Sequence, residues 1–270
     1  MADSLRTNAF FHELEGEHRS WLSAFDPQYL RNWEKLLNAD EEAAFAEARV
    51  RQLLHGCGIA VEPNEDLTGA NPRPDFRCFA GEYKFYVEVT CVSIATATDA
   101  TGLPNGPHGV MPFRPLTDAV FAECRGKASQ CANLDAPALV AIGTFHTNAA
   151  MASFKKPVIN WVLTGEAKIA WDIDIHAGRQ VGETYQVTEL HSAAFLRPDK
   201  TQEVGYARSS ISGLLLCGLA RTDRPVIGVL HPNPARPFNP AILPQVEFGQ
   251  VTIDRPSRQL HVAWPQGGDQ

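Results

Sequence analysis

Two carboxylates thirteen positions apart, Asp75 and Glu88, are the residues in this chain best suited to chemistry. Asp75 opens a short β-forming run, and Glu88 stands inside the apolar end of the next one, Val87-Glu88-Val89. A tight turn at Ala80, Gly81 and Glu82 joins the two runs into a hairpin. Strand side chains alternate between faces, so Lys84, Tyr86, Glu88 and Thr90 point one way and Phe85, Val87, Val89 and Cys91 the other. A carboxylate in a buried strand is costly unless something binds it. A divalent metal shared with Asp75 would do so. An edge hairpin with its acids in water is the alternative from pattern alone.

Three further residues have suggestive positions. Residues 40–57 read as a helix with Asp40 as N-cap, Glu41 and Glu42 at the positive end of its dipole, and Gly56 and Gly58 ending it. Phe45, Val50, Leu53 and Leu54 form its inner side, which puts Glu47 on or beside the buried face. Taken alone, Glu47 reads equally as an exposed acid paired with Arg51 one turn on. Residues 116–134 read as a second helix whose apolar stripe is interrupted by Lys127, with Gln130 next to it on the surface. A lysine snorkelling at the boundary of the face is the other reading of Lys127.

The elements that must position these residues follow in order. Residues 1–38 form a helical cap, in which Asp26-Pro27 restarts the helix. A short strand covers residues 59–62, and a polar loop leads to Arg73. After the hairpin, residues 93–115 hold four prolines and three glycines and read as a long loop that carries His108. Residues 137–145 form a buried strand, and helix followed by apolar strand implies an α/β crossover. Beyond it come a helix over 149–163 broken near Pro157, irregular β structure over 166–196, apolar strands near 209–219 and 225–230, and a last hairpin strand near 246–253. This divides the chain into a cap (1–38), a core (39–145) and a C-terminal α/β extension (146–270) packed on that core, one domain overall.

Composition excludes several classes. With 270 residues, 44% hydrophobic and 20% charged, the chain can bury a large core. A net charge of −7 argues against a generally basic nucleic-acid coat and leaves room for a local basic cleft. No apolar run reaches the length of a membrane span, and the N-terminus does not read as a secretory signal. The six cysteines show no CxxC spacing, as expected of buried thiols in a soluble cytoplasmic protein. There is no HExxH, GxSxG or glycine-rich phosphate loop.

The order helix with Glu47, strand, strand with Asp75, strand with Glu88, helix with Lys127 and Gln130, strand resembles the PD-(D/E)XK nuclease superfamily. The matching motifs are Pro74-Asp75, Glu88-Val89-Thr90 in place of acid-x-Lys, and Lys127-x-x-Gln130 on the following helix. The resemblance covers roughly residues 40–145. It implies a restriction-endonuclease-like αβββαβ core. It also implies Mg²⁺ or Mn²⁺ held by Asp75, Glu88 and the main-chain carbonyl of Val89, with Glu47 binding or orienting through water. Thr90 replaces the family lysine and supplies no positive charge. Lys84 lies four residues before Glu88, roughly 13 Å along the strand, which leaves Lys127 to take the part. Arg73, Arg77, Arg114 and Arg125 then become candidates for the phosphate backbone.

Two expectations result. The first is a metal-dependent phosphodiester hydrolase acting on DNA, with RNA as an alternative substrate and a homodimer as a possible assembly. In it Asp75, Glu88, Glu47 and Lys127 are catalytic, and Gln130, Thr90, Arg73 and Arg125 contact substrate. The second is a catalytically degenerate protein of the same fold that serves as a nucleic-acid- or protein-binding module.

Overall fold

The computed structural model describes residues 5–67, 73–105, 116–175, 177–198, 203–220, 226–254 and 259–264. Three helices open the chain: α1 (Ala9–Leu22), α2 (Pro27–Ala39) and α3 (Glu41–Gly56). Each has a side-chain cap, from Asn8, Asp26 and Asp40 respectively, and Pro27 occupies the first turn of α2. The short strand β1 (Ala60–Pro63) leads to the hairpin β2 (Phe76–Ala80) and β3 (Tyr83–Cys91), turned at Gly81 with φ 60°. Glycine carries no Cβ penalty in that left-handed conformation.

After β3 the chain forms α4 (Ile94–Thr101), where the proline- and glycine-rich composition predicts only loop. Two contacts, one local and one from α3, explain the helix. The Ser93 hydroxyl accepts from Thr96 N–H, and the Ile94 N–H donates to Glu42 of α3 at 2.8 Å. His108 and Arg114 lie outside the described residues. The next helix, α5 (Thr117–Lys127), is shorter than the 116–134 pattern predicts. It ends at Lys127, and residues 128–133 continue as turns that finish at Asn133 with φ 59°. Gln130 therefore sits in a turn and not on the helix.

The strand β4 (Ala138–Thr144) is buried along its whole length. It is followed by α6 (Thr147–Ser153) and α7 (Lys156–Thr164), which divide just before Pro157 as the sequence implies. The stretch expected to be irregular is a regular ribbon, β5 (Glu166–Asp174) paired with β6 (Arg179–Glu189), with one register shift between Ala170 and Asp172. The strands β7 (Leu196–Pro198) and β8 (Val204–Tyr206) make a second small sheet. The chain then adds β9 (Gly213–Gly218), β10 (Val226–Leu230), β11 (Glu247–Asp254) and β12 (Gln259–Ala263).

The protein is an α/β structure built on an eight-stranded mixed sheet, ordered β1-β2-β3-β4-β9-β10-β11-β12. The pairs β3/β4, β4/β9 and β10/β11 are parallel and the others antiparallel. Two apolar layers cover its faces. On one, Phe11, Trp33, Phe45 and Leu54 of α1 to α3 pack with Phe85, Val87 and Val89. On the other, Val120, Cys124, Ile159 and Leu163 of α5 and α7 pack with Tyr86, Val140 and Ile142. The alternation along β3 thus turns Glu88 toward the α5 side. Among the described residues no helix is long and apolar enough to cross a membrane.

Candidate functional site

Strand pairing brings Asp75 and Glu88 together. Phe76 pairs with Val87 in the antiparallel β2/β3 ladder, so Asp75, one residue earlier, falls opposite Glu88. The Val89 N–H donates to Asp75 Oδ2 at 2.7 Å and fixes the aspartate against β3. Asn64, just after β1, holds the other side of the same turn. Its main-chain N–H donates to the Asp75 carbonyl at 2.8 Å and its amide to the Pro74 carbonyl at 2.9 Å.

Glu88 is the most deeply placed acid of the group, with 1% of its side chain exposed. Its Oε1 accepts from Lys127 Nζ at 2.7 Å, and its Oε2 is buried with no hydrogen-bond partner. Burial raises its pKa, against the lowering effect of the Lys127 charge and hydrogen bond. Gln130 lies near enough to stabilise the carboxylate weakly, without a hydrogen bond of ordinary geometry. For Lys127, burial works against the ammonium, but Glu88, Asp75 and Glu123 outweigh it and raise its pKa. The lysine accordingly stays protonated. Of the two readings of Lys127 left open by the sequence, the geometry is that of an ion pair with a buried acid.

Glu47 and Asp75 keep partial solvent contact although protein surrounds most of each side chain. Both have pKa values raised well above the carboxylate range. Burial is the main cause for each; the next is the charge of Asp75 for Glu47 and that of Glu88 for Asp75. The pairing of Glu47 with Arg51 does not form. Arg51 instead donates to His18 Nδ1 at 3.2 Å and lies 3.8 Å from Glu17, both on α1.

A fourth acid joins the group from a position the sequence pattern passes over. Glu65, in the loop after β1, has its pKa raised by burial, and its charge raises those of Glu47 and Asp75. Asn32 of α2 approaches it, with Nδ2 3.4 Å from Glu65 Oε2. The N-terminal helices, which carry no chemical signal in the sequence, therefore contribute to this edge of the site. A single acid in a polar loop has no periodicity to mark it.

The other expected residues have different surroundings. Thr90 donates its hydroxyl to Glu123 Oε2 of α5 at 2.7 Å. Lys84 pairs with Asp135, which also accepts from Tyr86 Oη at 2.9 Å, so Lys84 is engaged away from Glu88. Arg77 is bound to Glu62 at 2.6 Å, its register partner on β1. Arg73 and Arg125 are exposed.

The acids present a mixed picture to a divalent cation. Among the described residues no three His, Cys, Asp or Glu side chains are close enough to hold an ion together. Mg²⁺, however, needs only one or two carboxylates and takes water for the rest. Glu88 Oε2 is a buried oxygen without a partner, and Asp75 lies across the ladder from it. Asp75, Glu65 and Glu88 raise the pKa of Glu47, and Glu88 and Glu65 that of Asp75, so the four acids crowd negative charge that a cation would relieve. This donor set fits a two-carboxylate magnesium or manganese site. No protein-family model, curated protein or solved structure matches the chain.

Proposed function

We propose that the protein is a metal-dependent phosphodiester hydrolase of restriction-endonuclease-like type that cleaves DNA. One observation carries this reading. Glu88 is buried opposite Asp75, with one oxygen on Lys127 and the other unpartnered. A buried, half-satisfied carboxylate is expensive, and its persistence is explained when that oxygen serves as a ligand. The order α3, β1 to β3, α5, β4 agrees with a nuclease core, with α4 as an added element.

In this proposal Asp75 and Glu88 hold Mg²⁺ or Mn²⁺. Such an ion, when bound, lowers the pKa of a water and stabilises charge on the phosphate. Lys127 neutralises negative charge on the scissile group, in place of the lysine that Thr90 does not provide. Glu47, held above the usual carboxylate range by burial and by the charge of Asp75, accepts a proton from water or returns it. Gln130 and the turn that carries it orient substrate beside Glu88. Cleavage of duplex DNA in Mg²⁺ or Mn²⁺ by the purified chain, abolished by both Asp75→Ala and Glu88→Ala, is the test. Full activity in either variant overturns the proposal.

The second reading, a binding module that has lost catalysis, draws on a different observation. Thr90 is committed to Glu123, and Lys127 already occupies one oxygen of Glu88. An ion pair that satisfies Glu88 in this way can stand in for a metal. Calorimetry separates the two: no Mg²⁺ or Mn²⁺ binding, unaffected by Asp75→Asn, favours the module.

A further inference from the structure

Helix α5 carries a second set of charges on the other flank of its buried stripe. Phe121 and Arg125 are one turn apart, and the fully buried Cys124 separates them from the flank that bears Lys127. Two arginines from the C-terminal half of the chain converge on the same aromatic ring. The Arg197 guanidinium lies 4.9 Å from the Phe121 ring centroid and that of Arg208 lies 4.8 Å from it. Stacked on one ring, the two guanidiniums are held in place by cation–π attraction.

Among the described residues the cluster has no counter-charge. Arg197 donates to the main-chain carbonyls of Leu190 and Ala193, and Arg208 to that of Ala194. Among the described residues neither these two nor Arg125 forms an ion pair with a carboxylate. Burial first, and the neighbouring arginines second, lower the pKa of Arg208 to about 10. Burial and then Arg125 lower that of Arg197. Like charges gathered without an acid repel one another, and an anion relieves that repulsion.

The backbone also holds Arg208 in place. Its φ is 61°, a left-handed conformation that non-glycine residues adopt only under constraint. The constraint is visible on both sides. Ala207 N–H donates to the Phe195 carbonyl at 2.9 Å, and the Ala207 carbonyl accepts from His231 at 2.8 Å. The Ser210 hydroxyl donates to the Ala128 carbonyl at 2.8 Å, tying this segment to the end of α5. The guanidinium is therefore preorganised over Phe121.

We propose that Arg197 and Arg208, stacked on Phe121, together with Arg125 one helical turn away, bind the phosphodiester backbone of the nucleic acid and hold it along α5. Guanidinium forks match phosphate oxygens in geometry and charge. The inference rests on the hydrolase reading for the class of ligand and extends the substrate path from the Glu88 cleft to the C-terminal half of the chain.

The test measures binding of the full chain to fluorescent duplex and single-stranded DNA, and to RNA of the same sequence, with EDTA present so that no cleavage occurs. Arg125→Ala is the primary variant, because its exposed side chain makes the smallest demand on the fold. Arg197→Ala with Arg208→Ala is the second, accepted only if its melting curve remains cooperative. We expect each lost arginine to weaken binding roughly 5- to 10-fold at low salt. The slope of log affinity against log salt should fall by about 1 for each phosphate contact removed. Unchanged affinity and slope in Arg125→Ala overturns the proposal, as does a folded wild-type chain that binds none of the three nucleic acids at low salt. Failure of the hydrolase reading shows separately, as intact binding without hydrolysis when Mg²⁺ or Mn²⁺ is supplied.

Discussion

Thr90 donates its hydroxyl proton to Glu123 Oε2 at 2.7 Å, and Glu123 stands one helical turn before Lys127 on α5. The residue that departs from the acid-x-Lys pattern thus joins β3 to the helix that carries the replacement cation. Thr90→Val keeps the volume and removes the bond. It should cost about 1 kcal/mol in urea denaturation and lower cleavage by loosening Lys127 over Glu88. Unchanged stability and cleavage would separate Thr90 from the site.

Lys127→Met should leave Glu88 buried with neither oxygen paired. Breaking a buried pair costs about 3–5 kcal/mol, and part of this is discounted because the Lys127 side chain is 26% exposed. The deficit is largest at neutral pH, where Glu88 must carry charge. As pH falls and Glu88 protonates, the deficit shrinks. Denaturation curves at pH 7.5 and pH 4.5 check both statements. Cleavage should be lost, and Thr90→Lys added to this variant should restore part of it by delivering a cation from β3.

The raised pKa values of Glu47 and Asp75 give stability a direction with pH. A carboxyl whose pKa is higher folded than unfolded retains its proton longer in the native state. Ionising it then opposes folding, so its destabilising effect is absent below the unfolded carboxylate range, grows as pH rises above that range and is complete above the folded pKa. Glu47→Gln should therefore raise Tm by a few degrees at pH 7.5, and the gain should disappear near pH 4. A variant less stable than wild type at pH 7.5 would contradict the burial and charge repulsion described for Glu47.

Mg²⁺ or Mn²⁺ should raise Tm in a concentration-dependent way, by the linkage between binding and folding. At 100 times the dissociation constant the stabilisation is about 2.7 kcal/mol. Asp75→Asn and Glu88→Gln should each abolish it, while Glu47→Gln weakens it. A shift that survives the loss of Asp75 would place the ion elsewhere.

The alternation of side chains along residues 83–91 and the turn at Gly81 are set by backbone geometry, so the sequence alone places Glu88 and Thr90 on one face and Asp75 across the hairpin from them. The caps at Asp26 and Asp40 and the break before Pro157 are local for the same reason. The ends of α5 are not legible in this way, because the apolar stripe persists past Lys127 while the backbone turns away. Nor is α4, whose N-terminus is secured by Glu42 from a helix fifty residues earlier. Only the tertiary structure decides that Lys127 meets Glu88, that Glu65 and Asn32 join the acids, that Thr90 finds Glu123, and that Arg197 and Arg208 stack on Phe121. Each of these contacts links residues from separate elements, and no periodicity within one element encodes its partner in another. What the opening pair of acids can do depends on these long-range contacts, since they determine which oxygen of Glu88 is already satisfied and which is left free.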